Sequence, residues 1–345
     1  MTPRQTLILT ERDIARLVDL PMAIRVVRQA CEVMARGESV MPPKLYLPLP
    51  GGNDFRAMPA FLKHPLACGV KWVNVHLGNP AKGLPSVMAV IVINDPATGV
   101  PLAVMDGRLI TKLRTAASAA VAAKALARRD SRVAGLVGCG EQADAQLEAL
   151  AQVLPLAHVR VWGYRLREAE RFCQRMRRRL PRLVLAPCAS VERCVREADV
   201  VVTITPSRRP LVERAWLAPG THVNAIGADA PGKQELEPRI LREAVVVVDD
   251  RAQALHGGEL NVPVRRGQFQ SRRIHATLGE VLIGARLGRR TNRELTVFDS
   301  TGLATHDVAL GAAVVRRAQA RHAGLRLSLF SPPSRRRALR PTRLV

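Results

Sequence analysis

The chain has 345 residues, 47% of them hydrophobic, and a formal net charge of +24. That length and apolar content suit two folded domains, and no apolar run reaches the roughly 18 uninterrupted residues of a membrane span. The first residues, MTPRQTLILTERD, hold too short an apolar segment for a signal peptide, so the expected location is the cytoplasm.

The charge invites a nucleic-acid reading, because clustered cations bind phosphate chains. Its make-up argues against one. Of 53 basic residues only 7 are Lys and 46 are Arg, a compositional bias rather than a designed patch, and the 3% aromatic content leaves few rings for base stacking. The dense stretches are Arg160 to Arg182 and the tail SRRRALRPTRLV. Six cysteines, with no C-x-x-C pair and no histidine cluster at ligand spacing, imply neither a disulfide framework nor a metal site.

In chain order, residues 11 to 36 read as one helix, with Asp13 near its start, apolar positions at Ile14, Leu17 and Val18, and Gly37 as the stop. Residues 40 to 105 alternate short β-rich runs such as VMAVIVIN and PLAVMDG with Pro and Gly turns. The stretch Thr115 to Arg129, TAASAAVAAKALARR, is almost pure helix former. After Ser131, strands and helices alternate: VAGLVG, EQADAQLEALAQVL, HVRVWG, REAERFCQRMRRRL, LVLAP, SVERCVREA, DVVVTIT, THVNAIG and AVVVVDD. This βα rhythm predicts an α/β fold with a doubly wound, Rossmann-like parallel sheet over residues 116 to 299. TVFDSTGLATHDVALGAAVVRRAQA adds a strand, a Gly turn and a helix, and residues 331 to 345 read as a disordered basic tail.

In GCGEQA, Gly138 permits a tight strand exit, Gly140 lets backbone amides approach a pyrophosphate, and Ala143 keeps the helix close to the sheet. Cys139, Glu141 and Gln142 complete the turn, whose helix N-terminus favours an anion. The motif alone is weak, but its strand-turn-helix context supports a dinucleotide site. Where an NAD-preferring unit places a carboxylate after its second strand, this chain has Gly163, Tyr164 and Arg165, so NADP is an expected cofactor as well as NAD.

The segments FRAMPA, GVKWVNVHLGNP, GLPSVMAVIVIND, LRTAASAAVAAKALAR, GCGEQADAQLEAL, NAIGADAPGKQEL, DDRAQALHGGELN and FDSTGLATHDVA together resemble the ornithine cyclodeaminase and mu-crystallin family over about residues 40 to 315. GADAPGKQEL and HGGELN are most similar to its archaeal alanine dehydrogenase branch. The resemblance implies a homodimer in which residues 1 to 115 with 300 to 330 form an α+β substrate and dimerisation domain beside the dinucleotide domain. It implies catalytic roles for Lys71, which meets the substrate carboxylate or carbonyl, and Asp229, an acid/base. Lys44, Arg56, Arg114 and Thr301 would bind substrate, Arg56 by two parallel bonds to a carboxylate. Arg114, placed just ahead of a long helix, would contact the cofactor too, with Ser86, Thr205, Ile226, Lys233 and Ser300. Asp299 and Asp307 read as structural, and His256 and His306 are left out of the site.

The implied chemistry is hydride transfer between a nicotinamide and a carbon bearing nitrogen, through an imine. An alanine-dehydrogenase-like NAD(P)-dependent amino-acid dehydrogenase or imine reductase is the preferred expectation, acting on a small amino acid, keto acid or cyclic imine. Ornithine cyclodeaminase is the alternative, and a mu-crystallin-like small-molecule binder the second. The preference rests on Arg56, a cation where cyclodeaminases tend to carry an acid that would hold a distal ammonium, although Asp54 lies close by.

Overall fold

The computed structural model describes residues 5–329; the basic tail expected to be disordered lies outside them. Two sheets organise the described residues. One is wholly parallel, with eight strands from Val133–Val137 to Thr296–Asp299 that lie in the spatial order 3-2-1-4-5-8-6-7 when numbered along the chain. The runs VVVT (Val200–Thr203) and VVVV (Val245–Val248) sit in its interior, where helices on both faces favour unbroken β-branched sequence. The order reverses beside Val133–Val137, a switch point at which a crevice opens outside the strands' carboxyl ends.

The second sheet is mostly antiparallel. Asn53–Leu62, Ala67–Val75, Val87–Asn94 and Pro101–Asp106 form a meander, extended by Thr6–Leu9 and Leu325–Leu327 at one edge and by Ser39–Val40 and Leu45–Leu49 at the other. Its strands alternate buried and less buried residues, so one face carries the core. Helix Ala304–Ala320 lies against that face and touches helices Leu20–Ala35 and Arg108–Leu126. It is rich in Ala and Gly, which lets the strands come close: a Cβ on Gly311 would stand 3.0 Å from Ile93 Cδ1. No described helix is long and apolar enough to cross a membrane.

Two helix boundaries differ from expectation. The segment 11 to 36 is two helices, Glu11–Leu17 and Leu20–Ala35. Pro21 supplies no backbone donor, and Asp19 instead caps the second helix by accepting from Met22 N at 2.8 Å. The alanine-rich helix starts at Arg108, seven residues before Thr115, because Asp106 accepts from Arg108 N at 3.0 Å and fixes the entry there. Arg114 therefore lies inside the helix, and the expected contact between an anion and a helix N-terminus at Arg114 does not apply.

Candidate active site

The glycine turn leaves strand Val133–Val137 at the switch point. Gly138 has φ 112°, and a Cβ there would meet the Ile204 carbonyl oxygen at 2.6 Å, so only glycine serves. Gly140 is exposed, and a Cβ there would meet nothing within 4 Å. Helix Ala143–Val153 starts just beyond, with Ala143 N donating to Gly140 O at 3.1 Å and Ala145 N to Asp144 Oδ1 at 2.8 Å. The buried Gln142 Oε1 has no hydrogen-bond partner among the described residues. A bare glycine at the entry of a helix suits the pyrophosphate of a dinucleotide. Cys139 packs against Gly163 at the second strand's end, exposed Glu141 faces Arg108 at 3.7 Å, and Arg165 is exposed after that strand.

Beside the turn lies a cavity of about 310 Å³ with walls from both sheets. Lys44, Arg56 and Lys71 line it from the antiparallel side, and Thr205, Ile226, Asp229, Lys233, Ser300 and Thr301 from the parallel side. Arg114 and Gln142 add the helical walls. Ser86 stands one residue before Val87, which lines the cavity, while Gly138, Cys139, Gly140, Glu141 and Arg165 lie outside its wall.

Asp229 is clamped by two cations: Lys233 Nζ lies 2.5 Å from Oδ1, and Arg56 Nη1 lies 3.0 Å from Oδ2. Burial alone would raise its carboxyl, but Lys233, Arg56 and Lys44 hold it well below the usual carboxylate range. Arg56 is in turn held by Asp54 through two bonds, Nε to Oδ1 at 2.8 Å and Nη2 to Oδ2 at 3.0 Å. Asp54 is thereby tied to Arg56 through both of its oxygens.

Three buried carboxylates that the residue pattern did not mark as site residues brace the walls. Asp307 pairs with Lys71 Nζ at 2.6 Å and with Arg114 Nε at 3.0 Å. Gly302 has φ 82°, and a Cβ there would collide with the Arg114 guanidinium at 2.7 Å, so glycine makes room for it. Asp249 accepts from the amides of Thr301 (2.6 Å) and Gly302 (2.9 Å), while Lys44 Nζ donates to Thr301 O at 2.6 Å. Glu235 accepts from Thr205 N and Oγ1, both at 2.7 Å, and from Gly227 N at 2.9 Å. Burial pulls the Lys71 ammonium down to about 7 and that of Lys44 to about 8.

The ornithine cyclodeaminase/mu-crystallin family model matches residues 4–322, a span that includes the parallel sheet and every residue lining this cavity. The chain belongs to this family. It is 47% identical to the alanine dehydrogenase of Archaeoglobus fulgidus over 94% of this chain and 99% of that protein. Its fold matches a solved archaeal alanine dehydrogenase dimer with bound NAD, with a TM-score of 0.91 and 46% identity, covering 94% of this chain and 100% of that one. It also matches the Thermococcus litoralis Δ1-pyrroline-2-carboxylate reductase in complex with NADH and L-proline, with a TM-score of 0.90 and 32% identity, over 93% and 100% of the two chains.

Proposed function

We propose that this member of the family is an NAD(P)-dependent amino-acid dehydrogenase or imine reductase, acting in the manner of alanine dehydrogenase on a small 2-amino acid and its 2-oxo acid. The carrying observation is the cavity's charge: five cationic side chains (Lys44, Arg56, Lys71, Arg114 and Lys233) face one carboxylate, Asp229. Such a lining receives a substrate carboxylate. It offers no spare acid for the distal ammonium of a diamino acid, because Asp54 is already bound to Arg56 by two bonds.

The dinucleotide would be held by the 138–142 turn with Thr205, Ile226, Lys233 and Ser300, and bound there its nicotinamide supplies the hydride acceptor or donor. The protein's own groups do the rest. Arg56 and Lys44 hold the substrate carboxylate, and Lys71 polarises the carbonyl or imine as negative charge develops. Asp229 relays the proton between the reacting nitrogen and water. A substrate carboxylate drawing Arg56 away loosens the clamp on Asp229 and raises its proton affinity into a working range. Water then adds to the imine carbon, ammonia leaves, and the 2-oxo acid remains.

The same reading takes residues 1–115 with 300–330 as a substrate and dimerisation domain, 116–299 as the dinucleotide domain, and the assembly as a homodimer. The likeness to a dimeric relative supports the assembly. Six free thiols support a reducing, cytoplasmic setting. The test follows nicotinamide absorbance and ammonia with L-alanine and with L-ornithine. Reduced cofactor accumulating with L-alanine is expected. Ammonia from L-ornithine without net cofactor turnover would assign a cyclodeaminase, and binding of both without turnover a small-molecule carrier.

A further inference from the structure

Asp307 sits on helix Ala304–Ala320 with its side chain fully buried, and its two oxygens face different cations, Lys71 through Oδ2 and Arg114 through Oδ1. Lys71 is itself only 1% exposed. An ammonium so enclosed keeps its proton only if a counter-charge sits against it. Its strand neighbours Met58 and Ile91 carry no charge. From helix Arg108–Leu126 come Thr111 Oγ1, which accepts from Nζ at 3.5 Å, and the Arg114 cation. Lys44 adds a further positive charge. His306, beside Asp307, is pulled down to about 3 by burial and is neutral, its Nε2 lying 3.3 Å from Cys31 Sγ.

We propose that Asp307 is a positioning residue for the reaction: one carboxylate aims both Lys71 and Arg114 into the cavity and favours the charged form of Lys71 by direct contact. The proposal rests on the role given to Lys71 above. Burial brings Lys71 down to about 7 with Asp307 opposing the fall, while Arg114 and Lys44 add to it. Lys71 thus stands near its midpoint at neutral pH, and Asp307 decides on which side.

The experiment reads kcat/KM against pH and, independently of turnover, the titration of the Lys71 ammonium by NMR of protein labelled with ¹⁵N-lysine. The chain has seven lysines, and the Lys71 signal is the one lost in Lys71→Met. In Asp307→Asn the Lys71 midpoint should fall by about one unit or more. The alkaline limb of kcat/KM should follow it, so that a one-unit fall makes the drop between pH 6 and pH 8 about fivefold larger than in the wild type. Asp307→Glu should restore the limb. Arg114→Met should move the midpoint the other way, upward, and it carries the test if Asp307→Asn does not fold. A loss of rate by one factor at every pH, with the Lys71 midpoint unmoved in both variants, overturns the proposal. If no substrate is turned over, the proposed activity has failed and the titration alone decides the role of Asp307.

Discussion

Two glycines separated by one residue should respond in opposite ways to substitution, and the contrast tests whether the turn cradles a phosphate. At Gly140 the backbone has no positive φ and an added Cβ meets nothing within 4 Å, so Gly140→Val should change folding stability by no more than about 0.5 kcal/mol. Its added methyl groups would stand over the helix entry, in the space a pyrophosphate needs. NADH affinity should fall about 10- to 100-fold, or roughly 1.4–2.7 kcal/mol. At Gly138, φ 112° is itself costly for any other residue, about 1–3 kcal/mol, and a Cβ 2.6 Å from the Ile204 carbonyl oxygen adds steric overlap. Gly138→Ala should therefore cost about 2–4 kcal/mol and lower the melting temperature by about 4–8 °C. Fluorescence titration with NADH and a thermal scan of each variant measure both quantities. Wild-type NADH affinity in Gly140→Val would refute the reasoning, because the open ground above the turn would then hold nothing.

Three further outcomes follow from the same geometry. Asp229→Asn should lower kcat by about 10²–10⁴-fold in a stopped-flow assay while leaving the NADH dissociation constant within about threefold. Lys71 and Lys44, at about 7 and 8, are charged below those values and lose their charge as pH rises through them, so KM for a 2-oxo acid should climb from pH 7 to pH 9; a flat profile would remove both from substrate binding. Arg165→Ala should raise KM for NADPH about tenfold and leave that for NADH unchanged, since a 2′-phosphate alone distinguishes the two cofactors.

Much of the dinucleotide half was legible in the residue order. Valine-rich runs, the G-x-G-x-x-A turn and amphipathic helices are local signals, repeated at short spacing, and each corresponds to a strand, turn or helix. The helix start at Arg108 was not, because Asp106 and Gly107 set it while the alanine composition becomes conspicuous only seven residues later. The bracing carboxylates were hidden for another reason. Asp307 reaches Lys71 and Arg114 across 236 and 193 residues of chain, and Asp249 reaches Thr301 across 52, so no spacing rule links them.

The sequence by itself determined the family, the parallel sheet, the glycine turn and the identities of the cleft cations, because those depend on local backbone preference and on motifs read in order. Only the tertiary structure decided which charges meet: that Asp54 is consumed by Arg56, that Asp229 is clamped between two cations, and that Lys71 shares a buried carboxylate with Arg114. Coulombic pairing depends on distance and burial in space, and folding sets those between residues that the chain keeps far apart.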